Sequence, residues 1–420
     1  MTTELINGRK VVETEKYKYH ILVACFFAFM LDNVDMFTTS IGLPILKTAF
    51  EMTTVEAGLV ATCMLIGAAI GAWFWGPFAD RAGRKIAYIV CLSWYTVFTF
   101  SCAFCNTLTP FLVLRFMCGL ALGGAWTIGV AYLTDFFPEE QRGRAVSLVQ
   151  ASAVVGMLIV TGTVRFLVPM YSWRVLFYIA LLALPLIAYF AWLPESPSWL
   201  KMHYQQDGTA AQKPSSAKLT KLLTIPVYRK ALLLAGLLLI CMQVAYWGAN
   251  SWVPTYLTSE RGLSVEAMTN IVAASYVGAL FGYGIFGVMC DKIGRKKTYT
   301  IGLAFTAIAT FGYMQLSTDS TIMIWAALWG FGCNGLYGPL GSFVSEMIPR
   351  AARGAGLGFV WGLGRLASAV VPVAFGALST TTSLKFCITL VAAIYVIGFI
   401  VTLFMRETRG QSMEDAEIEE

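Results

Sequence analysis

Four ionisable side chains fall inside long apolar runs of the chain: Asp32, Asp35, Arg115 and Arg365. Charge is costly in hydrocarbon, so such residues mark functional sites by default. The i, i+3 spacing of Asp32 and Asp35 puts both carboxylates on one helical face, where mutual repulsion lets one of them hold a proton near neutrality. They are the candidates for proton coupling, because the two histidines, His20 and His203, lie in or beside polar segments. At a rise of 1.5 Å per residue from the ends of their runs, Asp32 lies ~17 Å deep, Asp35 ~21 Å and Arg365 ~15 Å. Arg115, on a run of opposite direction, lies ~24 Å deep, level with Asp35, so the two can pair. Arg365 shares its run with no other charge and suits an anionic ligand. Its planar fork takes a carboxylate bidentately, and it cannot shed its proton. Buried structural ion pairs are the alternative role for all four.

These side chains need elements to hold them. Of 420 residues, 57% are hydrophobic and only 13% charged, against roughly 25% charged in a soluble domain. Twelve apolar runs occur, near 21–46, 57–79, 86–105, 109–134, 145–168, 173–193, 231–257, 267–289, 298–316, 321–345, 355–378 and 384–405. Each is long enough to cross ~30 Å of hydrocarbon as a helix. The runs are continuously apolar, not alternating, so the expected class is an all-α membrane protein with twelve transmembrane helices and no β-barrel. The first run is too long for a signal-peptide core and reads as the first span.

A net charge of +6 would suit nucleic acid, but 23 of the 30 Lys and Arg lie in alternate loops and the two end segments. That asymmetry places both termini in the cytosol and makes the lipid bilayer, not nucleic acid, the partner. The ten cysteines sit in or at the edges of apolar runs, which argues against a disulfide framework. Cys102 and Cys105 form a CxxC with no second pair to complete a zinc site, so no metal is expected.

The chain repeats itself at an offset of 211 residues. Gly76-Pro-Phe-Ala-Asp80-Arg81-Ala-Gly83-Arg84-Lys85 matches Gly287-Val-Met-Cys-Asp291-Lys-Ile-Gly294-Arg295-Lys296. Asp135, Pro138, Arg142 and Gly143 fall on Glu346, Pro349, Arg353 and Gly354, and Gly119 falls on Gly330. The expected organisation is therefore a six-helix bundle over 1–200, a cytosolic linker over 201–229 and a second bundle over 230–420. The repeated loops predict a cytosolic gate of Gly76, Asp80, Arg81, Gly83, Arg84, Glu139, Arg142, Asp291, Gly294, Arg295, Glu346 and Arg353. In it Asp80 accepts from a facing helix amino terminus, and Arg84 and Arg142 pair with acids such as Glu139. Simple topogenic charge would explain the cations, but not the fixed Asp and Gly positions in both halves.

The intramembrane charges do not repeat: Gln243, Tyr246 and Val154 stand opposite Asp32, Asp35 and Arg365. Packing roles would echo in both halves, whereas a coupling site and a substrate site occur once. Gln243, Tyr246, Trp247, Asn250 and Trp252 in the seventh run, with Trp329, Asn334 and Tyr337 in the tenth, combine amides with aromatics. Such faces suit a planar or ring-shaped solute, although Trp252 can equally be an interfacial belt residue.

The loop pattern G-x-x-x-D-[RK]-x-G-R-[RK], present twice, resembles the signature of the major facilitator superfamily, and Arg115-xxx-Gly119-xxx-Gly123 is similar to a second motif of that family. The resemblance covers essentially the whole chain and implies two six-helix bundles that open a central cavity alternately to either side. Pro194-Glu195-Ser196-Pro197 and Glu407-Thr408-Arg409-Gly410 resemble the sugar-porter and organic-acid-symporter branches. Asp32-Asn33-Val34-Asp35 is similar to the D-G-x-D pattern of aromatic-acid/proton symporters, with Asn33 in place of the glycine. Gln243 stands alone where sugar porters show paired glutamines. A proton-coupled symporter of a small organic anion is the leading expectation, acting as a monomer in the plasma membrane, the inner membrane of a bacterium. A sugar porter comes second and drug efflux third; a non-transporting sensor is a further class, and a channel ranks below it because gate motifs are present in both halves. There is no phosphate-binding GxxxxGK[ST] loop, so neither ATP, nor any cofactor, nor enzymatic activity is expected.

Overall fold

The computed structural model describes residues 5–6, 9–10, 14–204, 226–347 and 353–408. Among these, strand structure is confined to a short antiparallel hairpin pairing Leu5 with Lys10 and Ile6 with Arg9. The helices in chain order are α1 (Thr14–Ile41), α2 (Leu43–Ala49), α3 (Thr54–Ala82), α4 (Arg84–Cys102), α5 (Leu108–Thr134), α6 (Glu139–Gly162), α7 (Val175–Tyr178), α8 (Ala183–Trp192) and α9 (Pro197–Tyr204). They continue as α10 (Pro226–Ser259), α11 (Val265–Ile293), α12 (Arg295–Gln315), α13 (Ile322–Gly335), α14 (Leu340–Glu346), α15 (Arg353–Leu378) and α16 (Leu384–Phe404).

Two compact units are present, Met1–Glu51 with Cys63–Gln212 and Met52–Thr62 with Lys213–Glu420. Most of the expected linker, 205–225, lies outside the described residues. Trp73, Phe281, Ile308 and Phe404 are each more than 60% exposed, a surface that only lipid can solvate.

Ten helices among the described residues are long and apolar enough to cross a membrane. The two other expected runs differ for local reasons. The run at 298–316 is α12, whose buried Thr298, Thr306 and Thr310 lower its apolarity. Each of those hydroxyls donates to the carbonyl four residues back, at 2.7–2.8 Å, and so is buried without an orphan donor. The run at 321–345 is not one helix: α13 stops at Gly335 and α14 starts at Leu340. Pro339 cannot donate to a helical carbonyl and its ring clashes with the preceding turn. The first run is likewise split, with α1 ending at Ile41 and Pro44 restarting α2 at a position where its missing N–H costs nothing.

The 211-residue repeat reappears as interhelical contacts in one register. A β-carbon on Gly67 or Gly71 of α3 would overlap the carbonyl oxygens of Phe116 and Leu120 on α5. In the second unit, Gly278 and Gly282 of α11 stand against Ala327 and Phe331 of α13 in the same way. Reciprocally, Gly119 faces the Met64 carbonyl and Gly330 that of Ser275. Every one of these residues is 211 positions from its counterpart. Small residues let the backbones touch, and that contact is the main attraction available to helices in lipid.

Candidate functional site

Helix α1 packs against α5 and α6 in the first unit, which brings Asp35 to Arg115. The expected pair forms: Arg115 Nη2 donates to Asp35 Oδ1 at 2.8 Å and to Oδ2 at 2.7 Å. Asp35 is 1% exposed and Arg115 0%. Thr99 Oγ1 of α4 donates to Asp35 Oδ1 at 3.2 Å and lies 3.3 Å from Cys118 Sγ of α5. Arg115 Nε and Nη1 have no hydrogen-bond acceptor among the described residues, while the Phe177 ring lies 5.6 Å from the guanidinium carbon. Asp32 is buried one turn earlier on α1.

In the second unit the structure gathers some of the expected polar and aromatic residues and separates others. Tyr246 of α10 meets Tyr337 edge to face at 5.0 Å, and Tyr337 donates to Gln243 Oε1 at 3.5 Å, the outer limit of a hydrogen bond. Gly364 of α15 faces the Gln243 side chain, and Arg365, at the next position of that helix, is half-buried. Asn250 Nδ2 donates to the Tyr246 carbonyl at 2.9 Å. Trp329 instead stacks on Tyr313 at 5.8 Å, and Asn334 is fully buried in α13 with Nδ2 turned to the Gly330 carbonyl at 3.4 Å. Each leaves one polar atom, Trp329 Nε1 and Asn334 Oδ1, without a hydrogen bond among the described residues. Trp252 is not an interfacial belt residue: it is fully buried, and its Nε1 donates to the Pro372 carbonyl at 3.0 Å.

The repeated loops build one network in each unit. Arg84 pairs with Asp135, which also accepts from Ser196 Oγ. Arg295 pairs with Glu346 at 3.2 Å, which accepts from Thr408 Oγ1 at 2.6 Å. The amino terminus of α4 does not find Asp80, which is exposed and whose backbone carbonyl accepts from Trp199. Its acceptor is Glu195, bonded to the Lys85 N–H at 2.9 Å, just as Glu407 accepts the Arg295 N–H at 2.7 Å. The lysines of the two motifs cap the carboxyl ends of α8 and α16: Lys85 Nζ reaches the Ala191 carbonyl at 2.7 Å and Lys296 Nζ that of Leu403 at 2.8 Å.

Arg142 Nε donates to the carbonyls of Thr134 and Phe137, at 2.9 and 3.0 Å. Asp291 pairs with Arg295 at 2.7 Å, and Arg81 is exposed. The side chains of Glu139 and Arg353 lie outside the described residues. Sequence reasoning missed Glu195, Ser196, Glu407 and Thr408 as network members, although the segments containing them stand out as motifs.

The two glycines of each loop are not equivalent. Gly83 and Gly294 have φ of 100° and 103°, and a β-carbon on either would overlap the Glu195 or Glu407 carboxylate. Gly76 and Gly287 face open space. Gly83→Ala is therefore expected to destabilise the protein by about 1–3 kcal/mol. Gly287→Ala, in a helix interior with no proline after it, should be neutral or stabilising by roughly 0.5–1 kcal/mol. Melting temperatures of the two purified variants check this, and equal shifts would refute it.

The model of the Major Facilitator Superfamily matches residues 25–271 and 253–420. The chain is 30% identical over 407 residues to the cis,cis-muconate transport protein of Acinetobacter baylyi, covering 96% of this chain and 97% of that protein. It is 28% identical over 402 residues to a probable 4-methylmuconolactone transporter of Cupriavidus pinatubonensis, covering 93% and 91%. Its fold is similar to the inward-open xylose transporter XylE from E. coli, with a TM-score of 0.77 at 19% identity over 94% of this chain and 98% of that one.

Proposed function

The chain belongs to the Major Facilitator Superfamily, a multi-pass membrane transporter and not an enzyme, and from that premise we propose that it is a proton-coupled symporter of a small organic anion. The bacterial relatives that carry muconate and, by its name, methylmuconolactone favour a carboxylate or its lactone as solute and the inner membrane as the location. Twelve spans follow if α12 and the broken α13–α14 segment are counted with the ten apolar helices, and the distribution of cations favours cytosolic termini.

The observation that carries the reading is the buried Asp35–Arg115 pair. A carboxylate in such a site is held far less tightly once it takes a proton, because the guanidinium charge favours the ionised form. Proton binding thereby becomes a structural event inside one bundle. Asp32 is the second carboxylate on the same face. Arg365, with Gln243, Tyr246, Asn250, Trp329, Asn334 and Tyr337, is the proposed substrate side. The loop networks around Gly83 and Gly294 tie three helix ends together, so that each bundle moves as a body during alternating access.

In proteoliposomes, an inward proton gradient is expected to drive accumulation of the solute, and a protonophore to abolish it. Uptake that ignores the protonophore but follows sodium would sink the proposal. A thermal-shift screen of aromatic and aliphatic carboxylates, lactones and hexoses identifies the solute, since ligand binding raises apparent stability by mass action.

A further inference from the structure

Serines and threonines in membrane helices ordinarily return their hydroxyl to the carbonyl one turn back. On α4, Ser93, Thr96 and Ser101 do this, at 2.7–2.8 Å. Thr99, 2% exposed, instead points its hydroxyl at Asp35 Oδ1, with Cys118 Sγ on its other side. We propose that Thr99 is a positioning residue for proton coupling, holding the Asp35 carboxyl in place in both of its protonation states. The inference rests on the reading that Asp35 carries the proton.

A hydroxyl has one proton to give and two lone pairs. While Asp35 is ionised, Thr99 donates to it and can accept from the Cys118 thiol. When Asp35 is protonated, the carboxyl becomes a donor. Thr99 can then accept from it and turn its own proton toward Cys118 Sγ. Arg115, which only donates, can still bond the carbonyl oxygen of the protonated carboxyl but cannot accept its proton. Without Thr99 the O–H of the protonated side chain has no fixed acceptor at the moment its hold on Arg115 weakens. The groups facing Asp35 are Arg115 and Cys118 from α5 and Tyr95, Thr99 and Cys102 from α4, with Asp32 on α1 itself.

The test needs no substrate. Infrared difference spectra of the purified protein in lipid, recorded as a pH titration, show the C=O stretch of protonated carboxyl groups. The band lost in Asp35→Asn belongs to Asp35. In Thr99→Val that band should move to higher wavenumber, because its hydrogen bond is gone. Its midpoint should shift to higher pH by up to about one unit, because the charge-assisted bond lost by the ionised form is stronger than the neutral bond lost by the protonated form. Thr99→Ser should restore both. Should the valine variant fail to fold, Thr99→Ala gives the same reading.

A band removed by Asp35→Asn but unmoved by Thr99→Val would overturn the role of Thr99 while leaving Asp35 as the titrating group. Equal shifts in the Val and Ser variants would assign Thr99 to packing and also overturn it. If no band depends on Asp35, the proton-carrier reading falls, and the inference built on it falls too.

Discussion

Arg115→Leu is expected to be the most damaging single substitution in the first bundle. It strands the Asp35 carboxylate at 1% exposure with Thr99 as its remaining donor. Removing one partner of a buried pair typically costs about 3–5 kcal/mol, because the other charge stays desolvated. Asp35→Asn should be milder for stability, since an amide oxygen can still accept from Arg115 Nη2. Its effect on function should be nearly complete: accumulation against a gradient is lost while solute exchange remains measurable. The double variant, which leaves neither charge, should be more stable than Arg115→Leu alone. Melting temperatures and paired accumulation and exchange assays check these outcomes. A double variant no more stable than Arg115→Leu would mean that the stranded charge is not the source of the damage. Loss of exchange together with accumulation in Asp35→Asn would move Asp35 to the substrate site.

That pair was legible in the sequence because a helix is a ruler. Depth counted along two rigid rods of opposite direction was enough to put Asp35 level with Arg115. The glycine register was legible for a related reason: a contact that must be close in both halves constrains residue type at a fixed offset, as at Gly119 and Gly330. The break at Gly335–Pro339 was hidden by apolarity, which measures solubility in lipid and is blind to backbone continuity. Thr99 was hidden too. Four serines and threonines lie along α4, and only side-chain direction separates the one that faces Asp35 from the three that bond to their own helix. Glu195 and Glu407 stood in recognisable motifs, but their part depends on the positive φ of Gly83 and Gly294 that turns each helix amino terminus toward them. Asp80, the acid nearest in sequence, faces solvent instead.

The charge on α15 calls for a different experiment. Arg365 is a permanent cation placed well inside the expected span, where the first half carries Val154. Its neighbour Gly364 faces the Gln243 side chain from α15, and Gln243 joins Tyr246 and Tyr337 in one cluster. We propose that Arg365 acts with this cluster, because a cation combined with aromatic rings and amides is the composition that a planar carboxylate would select. A charge-assisted bidentate bond contributes about 1.5–3 kcal/mol, so Arg365→Ala should weaken binding of the acid roughly 10- to 150-fold. Arg365→Lys should recover only part of that loss, since lysine keeps the charge but not the fork. The amide of the same acid should bind the wild type weakly and lose little more on mutation, which separates lost recognition of charge from general damage to the site. Calorimetry on the acid and its amide with all three proteins measures these differences. If wild type and Arg365→Ala bind the acid equally well, or if the best ligand in the screen is a neutral sugar, the organic-anion assignment is wrong and Arg365 serves the architecture of the bundle instead.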